Sequence, residues 1–236
     1  MGMGFDDQAA AYDRWYATPL GALADRVEKE ALFALLPPVA GLRLLEVGCG
    51  TGNISLALAA KGAEVVGLDA SAAMLARAQA KARGTGVALS LVRGAAGQLP
   101  FAAESFDGVL CILALDFMAD REGALREMVR VLRPGGFVTV AVLNLYSLWA
   151  LKRLLKARLR PSLWRGVQFL TPAGLRRLLD SLPELGSLRS RQAVYFPPWD
   201  HPSLTRFYPA LERLGQRLCL PGAAFLAATA WKVKAA

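Results

Sequence analysis

The stretch Leu44-Leu45-Glu46-Val47-Gly48-Cys49-Gly50-Thr51-Gly52 decides the fold. Arg43 to Val47 is a short apolar run that ends in glycines and reads as a strand. Ile54 to Lys61 beyond it reads as a helix. Glycines at such a junction let the chain turn tightly and let a ligand lie against the backbone. The start of the helix adds free N–H groups. About 19 residues past Gly50, Asp69 ends a second strand-like run, Glu64 to Leu68. A carboxylate there can accept two hydrogen bonds from a ribose diol. The glycine spacing narrows the choice of ligand. A dinucleotide site has G-x-G-x-x-G, with amides around a pyrophosphate. Here the spacing is G-x-G-x-G, preceded by Glu46 and followed by Asn53.

Outward from this loop, strands and helices alternate. Ser71 to Arg83 reads as a helix with Ser71 as N-cap. Ala88 to Val92 and Phe106 to Leu113 are the third and fourth strands. Arg121 to Leu132 is a helix closed by Pro134-Gly135-Gly136, and Phe137 to Leu143 is the fifth strand. Upstream, residues 1–19 are polar and aromatic, with Phe5, Tyr12, Trp15 and Tyr16. Leu20 to Leu36 is an amphipathic helix stopped by Pro37-Pro38. Downstream, Leu148 to Arg160 is a basic amphipathic helix, and Thr171 caps another through Asp180. Arg189 to Phe196 and Phe225 to Val233 are two late strands around an irregular and helical insert. Strands separated by helices of this length imply βαβ units and a parallel sheet. The expected architecture is one α/β domain over residues 1–236. It has an N-terminal lid segment and helix at 1–36, a ligand-binding core at 41–143, and caps at 145–170 and 197–222.

Residues 40–145 resemble, in order, the motifs of the class I S-adenosylmethionine-dependent methyltransferases. The glycine loop resembles the family's first motif. Val65-Val66-Gly67-Leu68-Asp69, with Ser71 and Met74, resembles the second. Gly94-Ala95-Ala96, Leu99-Pro100-Phe101 and Ser105-Phe106-Asp107 resemble the next segment. Leu125-Arg126-Glu127 through Val131-Leu132-Arg133-Pro134-Gly135-Gly136 resembles the helix and turn before strand five. The pattern is similar to the subfamily of ubiquinone/menaquinone-biosynthesis and other small-molecule methyltransferases. The resemblance implies a doubly wound, mostly parallel seven-stranded sheet of Rossmann-like methyltransferase type with helical cap segments. It implies S-adenosyl-L-methionine as cofactor and S-adenosyl-L-homocysteine as product. Glu46, Gly48, Cys49, Gly50 and Asn53 would line the loop around the methionine end. Asp69 would hold the ribose, with Ala70 and Met74 against the adenine and Ala95 and Ala96 along its edge. Leu113 would offer its carbonyl to the cofactor's amino group, and Tyr12 would reach its carboxylate. The family usually has an acidic residue where Ala95 stands, and many relatives have a histidine where Asp116 stands.

Methyl transfer from a sulfonium is an in-line displacement in which the cofactor carries the reactivity. A base is needed only if the acceptor must lose a proton. Candidates for the catalytic side are Asp116 and Asn144, which follow strands, Tyr16 near the N-terminus, and His201 in the late insert. Each also has an ordinary structural reading, as a turn cap, a core aromatic or a surface histidine. Tyr195 is a further candidate for an acceptor pocket.

The chain is 54 % hydrophobic and 20 % charged, which excludes a disordered protein. Mean hydropathy is +0.33, and Gly135 to Leu151 is the most apolar run, shorter than the ~20 residues of a span. The acidic Met1 to Asp7 has no basic n-region, so the expected location is the cytoplasm. Three dispersed cysteines and one histidine predict neither a disulfide framework nor a metal site. The net charge of +9 fits an anionic partner or an arginine-rich solvated surface. Leu148, Leu151, Leu155 and Leu159 share one face of their helix, and Lys152, Lys156 and Arg160 another. Such a helix suits a lid with its apolar face over the acceptor, and peripheral contact with an anionic membrane. The expected partner is a small, apolar or aromatic acceptor. A nucleic-acid methyltransferase is disfavoured, because Leu113-Ala114-Leu115-Asp116 stands where base-modifying relatives carry Asn/Asp-Pro-Pro-aromatic. A cofactor-binding protein without turnover stays open, and so does the oligomeric state.

Overall fold

The structure is a computed structural model that describes residues 5–159 and 162–234. One sheet runs in the order β3-β2-β1-β4-β5-β7-β6. Its strands are β1 (Arg43–Val47), β2 (Glu64–Asp69), β3 (Ser90–Arg93), β4 (Phe106–Ile112), β5 (Leu132–Leu143), β6 (Leu185–Ala193) and β7 (Phe225–Lys232). β7 is antiparallel to both its neighbours, and the other pairings are parallel. This is the doubly wound sheet the sequence predicts.

Helices cover both faces, so the central strands are buried on both sides and read as continuous apolar runs. On one face, α2 (Pro19–Phe33) places Leu20, Ala24, Val27 and Ala31 with Ala141 and Ala227 of the sheet. Thr18 starts this helix by accepting the Gly21 amide on its hydroxyl, and Pro19 follows at the first position. On the other face, α5 (Arg121–Val131) and α7 (Pro172–Asp180) bring Leu125, Met128, Leu175 and Leu179 against Val138, Val140 and Val142. The strand order reverses at β1, which pairs with β2 through Leu45 and Val66, and with β4 through Leu45 and Val109. A crevice opens at such a reversal, beyond the carboxyl ends of the strands.

Several elements differ from the sequence expectation. Residues Phe5–Tyr16 form a helix, α1, where the sequence suggests only a polar, aromatic segment. Leu132 already belongs to β5 and pairs with Phe106, so Pro134-Gly135-Gly136 forms a bulge inside the strand. β6 begins earlier than expected and ends at Ala193, because Val194 turns into the left-handed region at φ 66°. The buried Glu212 carboxylate holds that turn by accepting the Val194 and Tyr195 amides. The insert after it contains α8 (Pro202–Thr205) and α9 (Tyr208–Leu218).

The largest correction concerns α6 (Leu148–Leu159). The sequence predicts that its leucine face covers a ligand. Leu148, Leu151, Leu155 and Leu159 are instead exposed, and Trp149 and Ala150 form the buried face. Arg160 lies outside the described residues. No described helix is long and apolar enough to cross a membrane.

Candidate cofactor site

A narrow cavity lies at the reversal of strand order. Gly48, Cys49 and Asn53 after β1, and Ile112 and Leu113 at the end of β4, line one side of it. Tyr12 and Tyr16 of α1, and Asp25 and Glu28 of α2, line the other. Glu46 reaches it from the end of β1.

The loop works because its glycines take backbone shapes that side chains resist. Gly48, Gly50 and Gly52 all have positive φ, at 74°, 53° and 79°. A Cβ on Gly48 would lie 2.4 Å from the Ala114 Cβ. The Gly48 and Cys49 amides both donate to the Leu68 carbonyl, at 2.7 and 3.0 Å, which anchors the loop to β2. Asp69 fixes its far side. Its Oδ2 accepts the Gly50 amide at 2.8 Å and its Oδ1 the Ser71 amide at 2.9 Å. Each carboxylate oxygen has a second lone pair left for a ligand. Ser71 then caps α4 (Ala72–Thr85) by accepting the Met74 amide.

The cavity is acidic. Glu46 is buried, and Ser55 Oγ donates to its Oε2. Burial pushes the Glu46 carboxyl up to about 8, against the pull of Ser55. Burial does the same to Glu28, up to about 8, with Arg153 opposing. Asp25 adds a third carboxyl, and none of the described residues lining the cavity is a lysine or arginine. This lining suits a cationic ligand carrying a sulfonium and an ammonium, which would draw the carboxyls into their charged form, and it offers a pyrophosphate no counter-charge. S-Adenosylmethionine therefore fits the residues present. Burial raises the Cys49 thiol, which leaves it an inert wall packed over Gly67.

Helix α1 is tied across the loop. Asp13 accepts Thr51 Oγ1 at 2.7 Å, Arg77 Nε at 2.8 Å and Lys81 Nζ at 2.6 Å. Lys81 also donates to Asn53 Oδ1 at 2.7 Å. Asp6 accepts Ser71 Oγ and the Ala73 amide. Burial works against ionisation of Asp13, but its bonds from Lys81, Thr51 and Arg77 hold it below the usual carboxylate range.

Tyr12, Glu46, Gly48, Cys49, Asn53 and Leu113 thus meet at the cavity. Leu113 has φ 54°, a strained conformation for a bulky residue. Gly50, Asp69, Ala70 and Met74 form the adjoining turn; Met74 is buried and Ala70 exposed. Ala95 is exposed and Ala96 half-buried, next to Gly94, whose amide donates to the Asp69 carbonyl. The sequence reading missed Asp13, Asp25, Glu28 and Lys81. The one available signal was that Asp25 and Glu28 are three apart on an amphipathic helix, and so share a side.

The catalytic candidates separate. Tyr16 lines the cavity, and its hydroxyl lies 3.1 Å from that of Tyr12. Burial pushes its phenol well above the ordinary range, which disfavours the phenolate. Asp116 is buried in a short 3₁₀ turn, Leu115–Phe117. Its Oδ2 accepts the Leu143 amide at 3.1 Å, and burial pushes its carboxyl up to about 7. Asn144 is removed from the candidates. Its amide donates to the Pro221 and Ala223 carbonyls and accepts the Tyr146 amide, so it ties the end of β5 to the approach to β7. His201 is removed too: it is exposed, and its Nδ1 caps α8 by accepting the Ser203 amide. Tyr195 packs on Gly215 of α9.

Comparison with known proteins agrees with this geometry. Residues 45–140 match the family model described as a methyltransferase domain. A demethylmenaquinone methyltransferase of Clavibacter sepedonicus is 33 % identical over 215 residues, 89 % of this chain and 87 % of that protein. An uncharacterized protein of Mycobacterium tuberculosis is 42 % identical over 100 residues, so the chain matches 36 % of that relative's length. A solved Thermotoga maritima protein is described as an S-adenosylmethionine-dependent methyltransferase and possible histamine N-methyltransferase. It aligns with a TM-score of 0.71 at 25 % identity, over 97 % of this chain and 98 % of that one. The sheet order, the glycine turn closed by Asp69 and these likenesses converge: the chain belongs to the class I S-adenosylmethionine-dependent methyltransferases.

Proposed function

We propose that this protein transfers a methyl group from S-adenosylmethionine to a small, apolar or aromatic acceptor by in-line displacement. The observation that carries the reading is the cavity itself. A left-handed glycine turn, three carboxyls and two tyrosines share one space. When bound, S-adenosylmethionine supplies an electrophilic methyl on a positive sulfur. The residues here bind and orient it. Asp69 holds the ribose hydroxyls, Glu46 faces the cationic methionine end, and Gly48 lets the ligand approach the backbone. Tyr12 and Tyr16 close the top and exclude water. Good alignment of two reactants contributes roughly 7–11 kcal/mol without any base.

Demethylmenaquinone, the substrate in the Clavibacter relative's name, is of this acceptor type. An acidic cavity argues against a nucleic-acid acceptor, whose phosphates would meet Asp25, Glu28 and Glu46. Residues 148–159 also support peripheral contact with an anionic membrane. The exposed leucines of α6 adjoin basic Lys156 and Arg158, and Phe207, Leu214 and Leu218 are exposed as well. The test is incubation with methyl-labelled S-adenosylmethionine and separate panels of naphthols, quinols and RNA. Label in the naphthol or quinol arm supports the proposal. Label only in RNA, or none with cofactor bound, replaces it with the nucleic-acid or the non-catalytic reading.

A further inference from the structure

Beside the cavity, two buried polar atoms of opposite kind lack partners. One is Asp116 Oδ1, whose sister oxygen is held by the Leu143 amide. The other is Arg153 Nη1, on the inward side of α6. The faces of the Arg153 guanidinium are used: its centre lies 4.4 Å from the Trp164 ring and 5.3 Å from the Trp149 ring. Stacking leaves the in-plane N–H edge free, and that edge is where a guanidinium makes hydrogen bonds. A buried polar atom without a partner is costly, and more so when charged. Arg153 and Asp116 feel each other's charge, yet no ion pair joins them. A third group between them would satisfy both.

The surroundings lead from this pair to the cavity. Trp149 touches Trp15, which touches Tyr16 on the cavity wall. Trp164 touches Phe117 and stacks on Phe169. The charge of Arg153 also acts on Tyr16 and Glu28, which line the cavity. An aromatic wall thus runs from the tyrosines to a guanidinium edge and a free carboxylate oxygen.

We propose that Arg153 and Asp116 form the polar end of the acceptor site and together hold one hydroxyl group of the acceptor. The hydroxyl oxygen accepts from Arg153 Nη1, and its hydrogen donates to Asp116 Oδ1. A carboxylate fits less well, because it has no hydrogen for Asp116 and would face its charge. The sequence marks Asp116 as a candidate but not Arg153, which reads as one more cation on a basic helix and whose role depends on Trp164, eleven residues on. This inference rests on the proposed methyltransferase reading, since it assigns the second half of the same site.

The probes are 2-naphthol and naphthalene, equal in shape except for the hydroxyl. Binding to the full chain saturated with S-adenosylhomocysteine is read from tryptophan fluorescence. The expected result is 2-naphthol binding at least tenfold tighter than naphthalene, because a site built for a hydroxyl leaves its own groups unpaired with the analogue. Arg153→Met keeps the packing on the indoles and should erase that preference while S-adenosylhomocysteine affinity stays unchanged. Asp116→Asn should reduce it in a second, independent variant; where loss of the Leu143 bond impairs folding, Arg153→Met alone decides. Equal binding of the two probes, binding of neither, or a preference unchanged in Arg153→Met overturns the inference. Failure of S-adenosylhomocysteine itself to bind would instead strike the methyltransferase reading.

Discussion

The two ends of the site are built on opposite plans. The cofactor end, between β1, β2 and β4, is a backbone device closed by its own hydrogen bonds. Its glycines turn left-handed, Asp69 ties the turn together, and Asp13 latches α1 over it. The proposed acceptor end, between α1, α2, α6 and the turn at Asp116, is a side-chain device left open. Its aromatic rings are packed, but Asp116 Oδ1 and Arg153 Nη1 end without partners. One ligand common to a whole family can be met by fixed backbone. A ligand that varies between relatives is met by side chains, which change without disturbing the sheet.

The contrast can be broken most sharply at Gly48. Gly48→Ala places a Cβ 2.4 Å from Ala114 at a φ of 74°. Left-handed strain of about 1–2 kcal/mol and overpacking of about 1–3 kcal/mol lower stability and push the loop out of shape, so Tm should fall and S-adenosylhomocysteine binding by calorimetry should weaken by at least about tenfold. Near-normal affinity would show that the loop yields more than its geometry implies.

Asp69→Ala comes next. A hydrogen bond to a charged group contributes about 1.5–3 kcal/mol, so affinity should fall by at least about tenfold. The variant also releases the Gly50 and Ser71 amides, so a fall in Tm should accompany it. Unchanged affinity would refute the ribose role.

The two classes of carboxyl can be told apart by pH. Burial holds Glu46 and Glu28 near 8, above the ordinary value of 4.5, so the folded ligand-free protein binds more protons than the unfolded chain across that window. Stability should therefore decline as pH rises from about 5 to 8, and a cationic ligand should restore it at the upper end. Burial disfavours ionised Asp13 and Asp107, but Lys81, Thr51 and Arg77 lower the first and the Arg43 amide and Arg133 the second, so their contribution is lost only as pH falls below about 4. Thermal melts from pH 3 to 9, with and without S-adenosylmethionine, would show a flat upper limb if the cavity acids were already ionised.

The smallest effect belongs to the latch. Asp13→Asn removes partly exposed ion pairs to Arg77 and Lys81, each contributing at most about 1 kcal/mol. Tm should drop by about 2–4 °C. A much larger drop would mean that α1 is integral to the core and not a cover.

The same division explains what could be read from sequence. The cofactor end was legible because a turn that needs positive φ writes glycine into the chain at fixed spacing, and the paired acid follows at the end of the next strand. Strand five's bulge was less so: Pro134-Gly135-Gly136 reads as a stop, yet Leu132 still pairs with Phe106. Helix α1 was missed because its polar face carries Asp6 and Asp13, whose partners lie 38 to 68 residues away, in the glycine loop and at α4. The acceptor end left the weakest trace. Exposed leucines on α6 mimic a buried stripe, while Arg153, the inward residue, looks like surface charge. Asn144 and His201 show the converse, residues of reactive type whose polar atoms serve a strand end and a helix cap.

The most direct test of the central claim is calorimetric titration of the purified protein with S-adenosylhomocysteine, with NADH as control. The cavity geometry predicts saturable binding of the first and none of the second, because its described lining offers a pyrophosphate no cation. Binding of NADH, or of neither ligand, would contradict it.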